Sequence, residues 1–84
     1  MLNLDSVAAF MAIANTGSFT DAARELAVAK SVVSERLQEL ERSLGAKLVH
    51  RTTRRVALTA DGATFHERAK RILKRSRTGR LRAG

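Results

Sequence analysis

Cysteine is missing from this chain altogether. Disulfide staples, thiolate nucleophiles and thiolate metal sites are thereby excluded, and a reducing cytoplasm suits such a composition. Proline is missing too, so no proline-rich ligand motif exists and every segment is free to be helical. Trp and Tyr are absent and the 3 Phe stand singly, which argues against an aromatic platform for stacked bases. No apolar run approaches the roughly 18 to 20 residues needed to cross a bilayer, and Met1 to Ser6 carries no basic leader. The expected location is the cytoplasm.

What remains is small and basic. At 84 residues the chain holds one domain at most, and its 44% hydrophobic content permits a core that needs outside help, with dimerisation the obvious source. The net charge of +8 is unevenly placed. Residues 1 to 46 carry four basic and six acidic side chains, whereas residues 47 to 84 carry twelve basic and two acidic, so a −2 half precedes a +10 half. The second half seeks a polyanion, and charge alone does not choose between nucleic acid and an acidic membrane surface.

Hydrophobic spacing predicts a mainly α domain. Leu4, Val7, Ala8, Met11 and Ala14, widened by Phe10 and Ile13, mark a first helix to Thr16, which Gly17 ends. Ser18 and Asp21 form a capping box for a short second helix to about Ala27, with Ala22, Ala23 and Leu26 inward and Phe19 packed under the cap. Val33, Leu37, Leu40 and Leu44 give a third helix over roughly 30 to 44, ended by Gly45, with Lys30, Ser31, Ser34, Glu35, Gln38 and Arg42 opposite.

The period then changes. Residues 48 to 53 alternate and Val56-Ala57-Leu58 is β-capable, so a hairpin with Thr53-Arg54-Arg55 at its basic tip is expected. Thr59 caps a fourth helix whose inward face is traced by Ala63, Phe65, Ala69, Ile72, Leu73 and Ser76. Residues 77 to 84 lack a hydrophobic period and read as a frayed basic tail. The organisation is therefore 1 to 58 as a winged helix-turn-helix, 59 to 76 as a fourth helix, and 77 to 84 as tail.

A polar-faced helix fits the major groove, where Ser, Lys, Arg, Gln and Glu read base edges. A hairpin tipped by Arg54 and Arg55 suits phosphates or the narrow minor groove. No catalytic constellation accompanies them. His50 and His66 have no second ligand at a metal-like spacing, so neither a metal site, a cofactor nor an enzyme is expected.

Phe10 through Thr16, Gly17-Ser18-Phe19-Thr20, Ala22-Ala23, Val33-Ser34, Leu40-Glu41, Leu44-Gly45, Leu48, Arg51, Leu58-Thr59 and Gly62 occur in one fixed order. In this series the chain resembles the N-terminal DNA-binding domain of LysR-type transcriptional regulators, over about Leu4 to Leu73. The resemblance implies a winged helix-turn-helix that dimerises through its fourth helix and binds imperfect palindromes. It implies that Ser31 and Ser34 contact bases or phosphates, that Thr20 anchors phosphate, and that Arg51, Thr53 and Arg54 contact backbone or minor groove. Lys30 stands where the family usually has Gln, Glu35 where it often has Arg, and Ala29 where a capping Ser is usual. Lys30 favours guanine edges or a phosphate and Glu35 a cytosine amino group, so base preference does not transfer from relatives. Family members are several times longer, with an effector-binding domain, and no small-molecule effector site is expected in this chain. Two other readings stay open: a protein-interaction module that forms heterodimers with a full-length relative, and a nonspecific nucleic-acid binder driven by the +10 half.

Overall fold

The structure, a computed structural model, describes residues 3–51 and 56–83, with side chains for 3–50 and 56–72. Its order is α1 (Leu4–Thr16), α2 (Phe19–Leu26), α3 (Lys30–Leu44), β1 (Val49–Arg51), β2 (Val56–Leu58) and α4 (Ala60–Ala83). The three-helix core, hairpin and long fourth helix match the expected winged helix-turn-helix.

Local signals set most boundaries. The Asn3 side chain caps α1 by accepting from the Asp5 N–H at 2.7 Å, and the Ser18 hydroxyl caps α2 by accepting from Asp21 N–H at 3.2 Å. Gly45 ends α3 in the left-handed region at φ 67°. There the Gly45 N–H reaches Arg42 O and the Ala46 N–H reaches Glu41 O, which satisfies carbonyls the helix would leave bare. The end of α2 has the same pattern without a glycine. Ala27 sits at φ 58°, with Ala27 N–H on Arg24 O and Val28 N–H on Ala23 O.

Helix α1 is the centre of the molecule, packed by α2, α3, α4 and β2. Phe10 and Ile13 are fully buried, alongside Val33, Leu37 and Leu40 from α3 and Ala22 and Ala23 from α2. The expected stripe on α1 is displaced. Leu4 is 67% exposed, Ala8 and Ala14 are half-buried, and Ser6 and Ala9 lie inside, because α1 is covered from several sides rather than along one face.

The strands pair antiparallel, Val49 with Leu58, His50 with Ala57 and Arg51 with Val56. Val49 and Leu58 turn toward the core while His50 and Ala57 face out. Leu48, fully buried, precedes the strand rather than alternating within it.

Helix α4 differs from expectation in two respects. Its inward positions are Gly62, Phe65 and Ala69, whereas Ala63 is exposed and Ile72 is 52% exposed; the side chains of Leu73 and Ser76 lie outside the described ones. Its helical backbone also continues to Ala83, through the segment expected to fray. Arg and Leu are good helix formers, no proline intervenes, and Gly79 costs only about 1 kcal/mol. Phe65 meets Phe10 edge-on, with ring centroids 5.6 Å apart, which seats the first turns of α4 on α1.

Gly62 permits a close approach that no other residue allows. A Cβ there would collide with the Leu48 carbonyl oxygen, a backbone atom that cannot swing away. Gly62→Ala is therefore expected to destabilise the domain by about 1 to 3 kcal/mol through overpacking, measured as a lowered urea midpoint at unchanged m-value.

Candidate nucleic-acid interface

The two-helix unit is built on a tight connection. Only Ala27, Val28 and Ala29 separate α2 from α3, and the left-handed Ala27 turns the chain while Val28 packs against the core. Ala29 occupies the N-cap of α3 in extended geometry, φ −69° and ψ 150°, with no side-chain hydrogen bond to the helix. Ser31 does not take over that role, since the helix still begins at Lys30.

Burial of Val33, Leu37 and Leu40 fixes the rotation of α3 about its axis. Residues on the opposite side must then face solvent. Ser31, Glu35, Gln38 and Arg42, spaced by four, three and four, are all exposed there, with exposed Lys30 beside them and half-buried Ser34 at the margin toward the wing. Lys30, Ser31, Glu35, Gln38 and Arg42 make no side-chain hydrogen bond or ion pair with other described residues, so their donors and acceptors are available to a second molecule. Thr20 is exposed in the first turn of α2, beside the cap Ser18.

The wing comes alongside α3. A cleft of about 330 Å³ between them is lined by Ser34, Leu37, Gln38, Glu41, Lys47 and Val49. A shallower depression of about 410 Å³ continues it past Gln38, Glu41 and Lys47 to Arg42, Gly45 and Ala46. Ser34 and Gln38, both expected from the sequence, are thus brought together on one wall. Arg51 ends β1, but its side chain, like all of Thr53, Arg54 and Arg55, lies outside the described residues.

Two participants were not anticipated. Exposed Lys47 shares the cleft with Gln38, because the return after Gly45 brings residue 47 back beside α3. Glu41 lies in the same cleft and accepts a hydrogen bond from the Leu48 N–H at 2.8 Å. The sequence offered only a basic residue in a loop and an acidic residue near a helix end, with no signal for their meeting.

Charge is divided along this surface. Helix α3 is neutral in sum, three basic residues (Lys30, Arg36, Arg42) against three acidic (Glu35, Glu39, Glu41), whereas Lys47, Arg51, Arg54 and Arg55 in the wing segment have no acidic neighbour in sequence. Groups suited to reading base edges sit on the helix, and charge suited to phosphates sits on the wing. Among the described residues no cluster of three His, Asp or Glu side chains is placed to hold a metal. None of the described helices is long and apolar enough to cross a membrane.

A three-helix core with a polar-faced third helix and an adjoining basic hairpin defines a winged helix-turn-helix protein. Residues 4–63 match the model for the bacterial regulatory helix-turn-helix protein, lysR family. A Xanthomonas campestris HTH-type transcriptional regulator is 42% identical over 87 residues, covering 98% of this chain and 25% of its own length. The HTH-type transcriptional regulator CrgA of Neisseria meningitidis is 44% identical, with 84% and 24% covered. The chain thus spans about a quarter of the length of these curated relatives. Among solved structures, a CbnR DBD–DNA complex superposes with TM-score 0.86 at 37% identity, over 96% of this chain and 95% of that one. A BenM DBD/catB site 1 DNA complex gives 0.84 at 33%, covering 98% of each. The chain belongs to the LysR family of bacterial helix-turn-helix regulators.

The bare N-cap of α3 yields a prediction. Ala29→Ser should stabilise the domain by about 1 kcal/mol, since the backbone already has capping geometry and only the acceptor is missing. A raised thermal midpoint with unchanged helical content by circular dichroism would show it.

Proposed function

We propose that this domain binds double-stranded DNA sequence-specifically as part of a transcription regulator, acting in the cytoplasm. The observation that carries the proposal is the exposed stripe Ser31, Glu35, Gln38 and Arg42 on α3, held outward by the buried stripe behind it and flanked by the wing. The CbnR and BenM relatives were solved as complexes with DNA, at over 30% identity and across nearly the whole chain, which supports the same partner here.

In this reading α3 enters the major groove. Ser31, Ser34 and Gln38 hydrogen-bond to base edges or phosphates, Lys30 approaches a guanine edge or a phosphate, and Glu35 accepts from a cytosine N4 amino group. Thr20 anchors a phosphate beside the first turn of α2, where the helix dipole favours anions. Arg51, Thr53, Arg54 and Arg55 hold the sugar-phosphate backbone or the minor groove from the wing. Two copies join through α4 into a homodimer, which places two recognition helices about 34 Å apart on one face of the duplex. The reading needs no metal, cofactor or catalytic group, and no effector site is assigned to these residues.

The deciding experiment is selection of bound sites from random duplexes. Enrichment of an inverted repeat supports the proposal, and retention without any preferred sequence rejects it in favour of nonspecific binding. Glu35→Gln should move one position in each half-site from C·G toward A·T, by about tenfold in relative affinity, because an amide pairs with adenine where a carboxylate pairs with the cytosine amino group. Repeating the selection with the variant checks this. Arg54→Ala should weaken binding to all sequences alike and reduce the slope of log K against log salt by about one, read from titrations at several salt concentrations.

A further inference from the structure

Between Leu44, the last residue of α3, and Val49, the first of β1, lie four residues. A connection that short limits how far the wing can stray. It does not fix how closely the wing sits against the helix. Something else must set the width of the cleft between Ser34 and Gln38 on one side and Lys47 and Val49 on the other.

Glu41 has the required geometry. It sits one turn before the end of α3, half-buried, and its Oε2 accepts the Leu48 N–H at 2.8 Å across seven residues of sequence. Lys47 and Arg42 lie near it, yet neither forms an ion pair with it within 4.0 Å. Among the described residues the carboxylate is therefore engaged by a backbone amide rather than by a cation, and Lys47 has no ion pair there. The next peptide unit, which carries the Leu48 carbonyl, is held as well. Its carbonyl accepts the Thr59 N–H at 3.0 Å and lies directly against Gly62, which leaves no room for movement toward α4.

We infer that Glu41 is a positioning residue that fixes the wing against the recognition helix, through its hydrogen bond to the Leu48 amide. Its reach is what matters, and its charge is incidental. With the bond in place, Lys47 and strand β1 stand at a set distance from the reading face, so that Lys47 engages a phosphate while α3 lies in the groove. Without it, the half-buried Leu48 N–H loses its partner and the wing loses its stop on the helix side. The DNA consequence rests on the function proposed above, whereas the geometric claim does not.

Two substitutions separate reach from charge. Glu41→Gln keeps the acceptor at the same distance without charge, and Glu41→Asp keeps the charge one methylene too short. In the DNA-free protein, exchange of the Leu48 amide measured by NMR should stay at the wild-type rate in the Gln variant. In the Asp variant it should accelerate about tenfold, while the amides of the α1 core remain protected. On duplex carrying the selected site, the Asp variant should lose about one from the salt slope, equivalent to one phosphate contact, with its base preferences unchanged. The Gln variant should keep the wild-type slope. Wild-type exchange in the Asp variant, or acceleration in the Gln variant equal to that in the Asp variant, overturns the inference. Absence of any site preference in the wild-type protein would instead sink the proposed function, and the exchange measurement would still decide the role of Glu41.

Discussion

The backbone of one residue, Leu48, ties the reading helix, the wing and the long fourth helix together. Its N–H is taken by Glu41 of α3 and its carbonyl by the Thr59 N–H, while the Leu48 side chain is fully buried in the core. Thr59 adds a second bond to the same stretch, its hydroxyl donating to Lys47 O at 2.6 Å while accepting from the Gly62 N–H at 2.9 Å as the cap of α4. A buried amide and carbonyl must each find a partner. Here those partners come from α3 and from the residue that caps α4, so that the start of the wing is held between the two.

The domain separates two tasks that nucleic-acid binding requires. Attraction to phosphate is strong, long-ranged and blind to sequence, whereas base readout is short-ranged and needs neutral or mixed donors and acceptors at fixed positions. A recognition helix with balanced charge avoids being held indiscriminately by every phosphate it meets. In the proposed function the cationic wing segment supplies the attraction. In the proposed function Glu35, exposed on that face and without an ion pair among the described residues, serves the second task, because a base-edge donor rewards it and a phosphate does not.

Much of the fold was legible along the chain. The 3.6-residue spacing of Val33, Leu37 and Leu40 and the glycines at 17 and 45 gave α1 and α3 at their observed limits, since these signals act within a turn or two of backbone. Reading was less successful where burial depends on distant partners. Leu4 fits a helical stripe yet lies exposed, and Ser6 does not fit it yet is buried, because α1 is enclosed by several elements at once. The helical backbone of α4 runs on to Ala83 through a stretch where the sequence has no hydrophobic period to announce a helix. The candidate site was half visible: Ser34 and Gln38 announced themselves by their face of α3, but nothing near Lys47 in sequence told that it returns beside Gln38, or near Glu41 that it reaches the Leu48 amide across the loop.

The sequence by itself determined the helices, the place of the wing, the division of charge and the set of polar side chains opposite the apolar stripe, all of which follow from local backbone preference and periodicity. Only the tertiary structure decided the spacing of the wing from the helix, the engagement of Glu41 with a backbone amide and the need for glycine at position 62. Those depend on which atoms are brought within a few ångströms across loops and between helices, and short-range steric and hydrogen-bonding forces act on that distance rather than on separation along the chain.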